Sequence, residues 1–215
     1  MQNISMLPRV HIWGKNMSES NITKRAIADG FKGLMAKKPF EKITIADITN
    51  ACGLNRQTFY YHFQDKYELL NWIFYNDVIS ILSEDAEEIT FDNWSDRVLK
   101  MLVVIKNNAK FYTNALNTEY GNEFRNYLFR VSKEVFNEVI DRISNGYYID
   151  DEDKKFLSEF YASGISGGII RWITTGMKTS PESIVQHTKN LVSDSKAVAV
   201  ARYLQEEKKD GDNEG

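Results

Sequence analysis

The sequence predicts an all-α protein, a three-helix N-terminal head carrying a helix-turn-helix followed by a larger helical body, and three observations predict it. Apolar residues recur at helical rather than alternating spacing along nearly every segment. The 215-residue chain has only three prolines, Pro8, Pro39 and Pro181, and no run with the pattern of a strand. The stretch "LNRQTFYYHFQDKYELL" (54–70) crowds Phe59, Tyr60, Tyr61 and Phe63 among Arg56, Gln57, His62 and Lys66. A short helix that packs on one face and meets a polar partner on the other needs both kinds of residue.

Residues 1–20 stand apart from the helical pattern and read as a flexible extension. Either the natural start is Met17, ahead of "SESN", or Arg9 and Lys15 form a basic arm for groove or phosphate contacts. The head is expected over 21–66. Its first helix spans about 21–37, with Ile22, Ala26, Ile27, Phe31, Leu34 and Met35 on one face. "KKPF" ends it, because a proline disfavours helical geometry in the residue before it. In "TIADITNACG" Thr44 is the expected N-cap, Asp47 complements the positive helix end, Ile45 and Ile48 turn inward, and Gly53 supplies the stop.

Asn55 is an apt cap for a third helix, "RQTFYYHF", and two short helices joined by a turn containing Gly form a helix-turn-helix. Phe59 and Phe63, four apart, share the packing face. Arg56, Gln57, Thr58, Tyr60 and Tyr61 fall on the exposed N-terminal part and flanks. Arg56 and Gln57 carry the fork and the amide that pair with guanine and adenine edges, and Thr58 suits a thymine methyl or a base acceptor.

The body is expected over 67–195. "NWIFYNDVISILSE" continues a long fourth helix, and "NWSDRVLKMLVVIKNNAKFYTNALN" reads as a helix pair. "GNEFRNYLFRVSKEVFNEVIDRIS" is amphipathic, with Phe124, Leu128, Val131, Val135 and Val139 in a stripe. After the break at "GYYIDDED", two last helices follow in "KKFLSEFYASGISGGIIRWITTGM" and "SPESIVQHTKNLVSD", the latter with Ser180 as cap and Pro181 at its first position. Residues 196–215 form a tail whose charged, Gly-rich end is expected to be disordered.

Composition narrows the function. Net charge is −3, yet residues 1–72 hold 10 Lys+Arg against 6 Asp+Glu and the remainder 17 against 24, so a polyanion would meet the front. Cys52 is the single cysteine, which excludes an internal disulfide and a cysteine-built zinc site. No apolar run reaches the roughly 20 residues of a membrane span, and the opening lacks a secretory signal. A cytoplasmic protein with no membrane partner is expected. There is no phosphate loop and no metal-spaced cluster, and the acidic run from Asp150 to Asp153 fits a solvated helix start, so neither an enzyme nor a cofactor or metal is expected.

The segment "ITIADITNACGLNRQTFYYHFQDKYELL" resembles the DNA-binding signature of TetR/AcrR-type transcriptional regulators, with the match strongest over about 21–75. The wording "NRQTFYYHFQDKYELLNWIF" is also similar to the subgroup that includes regulators of dihydroxyacetone kinase operons. Asn55 stands where many relatives have Ser, and both cap well. The resemblance implies a homodimer on palindromic double-stranded DNA, with Tyr60, Tyr61, Thr44 and Lys66 gripping phosphate. His62 is read either as a helix-end structural residue or as a phosphate contact.

For 67–195 the resemblance implies an effector-binding and dimerisation domain whose last two helices pair with their copies. Trp72, Met101, Phe111, Tyr112, Tyr127, Phe160 and Trp172, with Phe156, are candidates to line a small-molecule effector pocket, against the plainer reading of ordinary core. Gly164, Gly167 and Gly168 each cost about 1 kcal/mol in a helix, which either a crossing within the subunit or a dimer contact would offset. The rival function is an effector-independent architectural or partner-binding helix-turn-helix protein. An internal cavity of a few hundred Å³ would favour the ligand-switched regulator over it.

Overall fold

The computed structural model describes residues 19–79, 81, 94–118, 121–143 and 149–194, and these are all helix, turn and loop. Most of the expected N-terminal extension and the C-terminal tail lie outside the described residues.

Helix α1 spans Glu19–Met35. Its buried face is Ile27, Ala28, Phe31 and Met35. Ile22 and Ala26 are exposed, because the face turned to the other helices begins only at Ile27. A short 3-10 turn, Phe40–Lys42, follows Pro39. Helix α2, Ile45–Cys52, opens on a reciprocal capping box: Thr44 Oγ1 accepts from Asp47 N–H at 3.1 Å, and Asp47 Oδ2 accepts from Thr44 N–H at 2.8 Å. It closes at Gly53, whose φ of 69° is left-handed backbone that a side chain would strain.

Helix α3, Arg56–His62, starts with Asn55 Oδ1 accepting from Thr58 N–H at 2.8 Å. Phe59 and Phe63 are buried as the spacing predicts. Helix α4, Lys66–Phe74, is capped by Asp65 and passes into a π-helical turn, Tyr75–Ile79. The body adds α5 (Trp94–Asn107), α6 (Ala109–Leu116), α7 (Gly121–Ile143), α8 (Asp151–Thr174) and α9 (181–194). Asp150 caps α8 by accepting from Asp153 N–H at 2.8 Å, and Ser180 Oγ caps α9 by accepting from Ser183 N–H at 3.2 Å.

The core does not divide at the expected boundary between 66 and 67. One apolar cluster runs from Ile27 in α1 to Val185 in α9. Rings carry it across: Phe40 meets Phe31 edge-on at 6.0 Å, Phe31 meets Phe111 at 6.4 Å, and Phe74 lies 6.1 Å from Phe111 and 4.6 Å from Phe124. Such pairs add roughly 0.5–1.5 kcal/mol each beyond their burial. The head is therefore seated on the body by packing rather than tethered by a linker.

Candidate nucleic-acid interface

The Asn55 cap sets the entry of α3 so that its first turn faces solvent. Arg56 and Gln57 are exposed there, and Thr58 is half-buried with its hydroxyl donating to Asn55 Oδ1 at 3.1 Å. The Arg56 guanidinium is steadied one turn on by Tyr60, with Nη2 at 3.5 Å from the phenol oxygen and the cation 6.0 Å from the ring centroid. That contact limits the rotamers of a long side chain before it meets any partner. Tyr60 is 50% and Tyr61 82% exposed, an unusual solvation for aromatic residues beside a packed helix.

Thr44 at the α2 N-terminus, Arg25 and Lys42 are exposed, and the half-buried Lys24 sets its ammonium 5.6 Å over the Phe63 ring at the end of α3. His62 is half-buried, edge-on to Tyr61 at 4.9 Å. Partial burial, reinforced by the charge of Lys24, holds its pKa below the ordinary 6.5. Lys38 is taken up by Asp47 at 2.8 Å, which with the bonds from Thr44 keeps the Asp47 carboxyl far below the usual carboxylate range.

Lys66 departs from the phosphate-gripping role. Its ammonium turns inward and donates to the carbonyls of Phe40, Glu41 and Ile43 at 2.9, 3.2 and 3.0 Å, over the Phe40 ring at 4.5 Å. All three donors are spent on the turn that ends in the α2 cap. Burial lowers its pKa, and Glu41 opposes that shift.

Two residues that the sequence did not single out join head to body. Asn114 of α6 donates to the carbonyls of Met35 and Lys38, both at 2.9 Å, and accepts from Phe40 N–H at 3.4 Å. Asp77, in the π-helical turn, pairs with Lys32 of α1 at 2.7 Å and accepts from Tyr112 of α6 at 3.0 Å. Burial first, then the Asp77 charge, raises the Tyr112 pKa well above its ordinary value. The only sequence signal for either is a pair of adjacent polar residues, Asn76 with Asp77 and Thr113 with Asn114, inside an apolar helical run.

All the pocket candidates except Phe160 and Phe156 join the one main apolar cluster, as core rather than around a shared cavity among those described. Phe111 and Tyr112 are central core, while Trp72 packs edge-on to Phe63 at 5.8 Å. Tyr127 lies under Arg130, 5.3 Å from its cation, and Trp172 donates from Nε1 to Thr179 O at 2.9 Å. Phe156 and Phe160 stack at 6.2 Å on the outside of α8, 66% and 64% exposed. Of the candidates only Met101 lines the largely enclosed cavity described between α5, α7, α8 and α9, about 50 Å³ in volume. Phe160 is thus no lining residue, since it faces away from that interior. Among the described residues no group of His, Cys, Asp and Glu is placed to hold a metal, and no helix is long and apolar enough to cross a membrane.

Comparison with known proteins agrees with this geometry at both ends of the chain. The family described as bacterial regulatory proteins, tetR family, matches residues 21–73, and one described as a transcriptional regulator C-terminal region matches 92–194. The chain is 29% identical over 152 residues to the HTH-type dhaKLM operon transcriptional activator DhaS of Lactococcus lactis subsp. lactis (strain IL1403), covering 70% of this chain and 79% of that protein. A solved structure of the dihydroxyacetone kinase operon activator DhaS superimposes with a TM-score of 0.71 at 26% identity, covering 82% of this chain and 97% of that one. The fatty acid degradation regulator FadR from Bacillus halodurans shares the fold, with a TM-score of 0.59 at 16% identity over 82% of this chain and 96% of its own. With its reading head, its helical body and their arrangement all matched, the chain belongs to the TetR family of transcriptional regulators.

Proposed function

We propose that the protein works as a homodimer on a palindromic operator, reading bases with Arg56, Gln57 and Thr58 and gripping phosphates with Tyr60 and Tyr61, since the Thr44 hydroxyl and N–H both donate to Asp47 Oδ2 at 2.8 Å. The observation that carries this reading is the exposed first turn of α3, where forked and amide donors stand free of the core beside solvated phenols. One such surface spans few base pairs, so useful specificity needs a second copy, with recognition helices about 34–36 Å apart for successive major grooves.

A dimer face is available on α8. Phe156, Phe160, Gly164, Gly167 and Arg171 recur at helical spacing and are exposed, and Leu191 of α9 is 55% exposed. Among the described residues a Cβ added to Gly164, Gly167 or Gly168 meets nothing within 4 Å, so no described crossing inside the subunit accounts for these glycines. A second copy packed closely on the same face does.

The likeness to an activator of the dhaKLM operon motivates the regulated target, genes for a dihydroxyacetone kinase. A small molecule held in the body is the proposed switch. Selection from randomised duplex DNA, with light scattering of the free protein, tests the whole reading. A palindrome bound by a dimer is the expected result; a monomer at micromolar concentration that recovers no palindrome overturns it.

A further inference from the structure

We propose that the largely enclosed cavity between α5, α7, α8 and α9 binds a small, neutral, largely aliphatic molecule carrying at most one hydroxyl or carbonyl oxygen, and that it rejects polyols and ionised metabolites; its regulatory consequence rests on the ligand-switched reading above. Two observations carry the proposal. The first is where the cavity lies. Met101, Leu128 and Ile169 on its walls belong to the main core, whereas Trp94, Phe136 and Val192 form a separate cluster. Val98 and Ile165 pack against both. The cavity is the gap where two apolar clusters face each other without filling the space between them, and a guest of matching shape joins them.

The second observation is the chemistry of the lining. Among the described residues no charged side chain lines it, and the lining residues with side-chain oxygen or nitrogen are Ser132, Thr188 and Trp94. The Thr188 proton is already donated to Ile184 O at 2.9 Å. A water in such a space needs two to four polar partners, and an apolar cavity without them stays dry and takes apolar guests. A volume of about 50 Å³ is several times that required by one water, about 10–15 Å³, and well below the roughly 150 Å³ of an apolar cavity that admits benzene. That size suits a short alkyl group, with its one oxygen set against Ser132 or Thr188.

The same walls exclude the alternatives. Glycerol or dihydroxyacetone would leave hydroxyls facing Val, Leu and Ile without partners, and a phosphate or carboxylate would lose its hydration with no cation to replace it. A dihydroxyacetone kinase operon as target therefore does not make dihydroxyacetone the occupant of this cavity.

The test uses the full chain with ¹³C-labelled Ile and Met methyl groups, titrated by NMR with butanol, glycerol and dihydroxyacetone at equal concentrations. Butanol is expected to shift the methyls of Met101, Ile165, Ile169 and Ile184 saturably, and the two polyhydroxy compounds to leave them in place. Val135→Phe, which fills the cavity, should abolish the butanol shifts. Where circular dichroism shows that variant unfolded, Val135→Leu serves with a smaller but still measurable loss. Saturable shifts with dihydroxyacetone, butanol shifts untouched by the filling variants, or no butanol shifts at all would each overturn the proposal. Operator affinity measured with and without butanol separates the two ideas: methyl shifts with unchanged DNA affinity uphold the binding site and overturn its role as the switch.

Discussion

Lys66, the first residue of α4, donates to the carbonyl of Ile43 at 3.0 Å, which ties the helix leading into the body to the residue just before the Thr44 cap of α2. The same ammonium holds the carbonyls of Phe40 and Glu41. Lys66→Met keeps the aliphatic stem and removes all three bonds, taking the donor from the part-buried Ile43 carbonyl while Phe40 O keeps the Ile43 N–H at 3.1 Å. A loss of about 1–3 kcal/mol is expected in urea unfolding. The slope of DNA affinity against salt should stay as in the wild type; a phosphate-gripping lysine would lower it by about 1 on removal.

The base-reading and backbone-gripping roles proposed for α3 predict different responses to substitution. Arg56→Ala and Gln57→Ala are expected to cost roughly 1–3 kcal/mol of DNA binding at particular base pairs and to relax preference there. Tyr61→Phe, which removes only the hydroxyl, should weaken all duplexes alike, whereas Tyr60→Phe also takes the phenol oxygen from Arg56 and should disturb base preference as well. A panel of single-base operator variants measured by fluorescence anisotropy distinguishes the two. An unchanged base preference in Arg56→Ala would take Arg56 out of the reading set.

His62 supplies a pH dependence of known sign. Its folded-state pKa lies below the ordinary 6.5 because burial and Lys24 disfavour the imidazolium. The unfolded chain then binds the proton more readily, so the contribution is full above 6.5 and is lost as pH falls through the folded pKa. Acidification should lower the urea midpoint, and His62→Gln should remove part of that drop. Titration by NMR also decides between the two readings of this residue. A phosphate contact raises the His62 pKa when operator is bound, whereas a purely structural histidine titrates alike in both states.

What the sequence disclosed was local. The pairs Thr44 with Asp47, Asn55 with Thr58, Asp150 with Asp153 and Ser180 with Ser183 are three residues apart, and the physics of a helix start fixes them without reference to the rest of the fold. Contacts that span the chain were not disclosed. Asn114 meets Met35 and Lys38 from 79 and 76 residues away, and Lys66 reaches 23 residues back to Ile43. Nor does periodicity separate Phe111, fully in the core, from Phe160, outside it, because α8 is apolar on both its inner and its outer face. The cavity walls are mostly Val, Leu and Ile, which read as ordinary core until packing leaves a gap between them.

The glycine-bearing face of α8 predicts how the dimer responds to bulk. A Cβ added at Gly167 meets nothing within 4 Å among the described residues, so in Gly167→Leu the monomer fold should survive with unchanged circular dichroism. In the dimer the added side chain keeps the two backbones apart, and the subunit dissociation constant should rise at least about tenfold, or 1.4 kcal/mol. Phe160→Ser removes an exposed ring and should act in the same direction. Sedimentation at falling protein concentration measures both. Wild-type association in each variant would place the interface elsewhere.

Asn114 predicts how a ligand in the body would reach the head. Its side chain holds the last residue of α1 and the turn after it, and that turn, braced from the other side by Lys66, ends in the α2 cap. Any movement of α6 is therefore imposed on the entry to the helix-turn-helix. Lying between two sites is not evidence of coupling, which has to be measured as a free energy. In Asn114→Ala the carbonyls of Met35 and Lys38 lose their donor, and the Phe40 amide loses its acceptor. Hydrogen exchange at Phe40 should quicken while α8 stays protected. If guest binding changes wild-type DNA affinity tenfold, a coupling of about 1.4 kcal/mol, the change should shrink toward unity in Asn114→Ala, and by reciprocity DNA should cease to alter guest affinity. Retention of the full coupling in this variant would show that the signal passes through the ring contacts of Phe31, Phe111 and Phe74 instead, and Phe111→Leu would then be the variant that abolishes it.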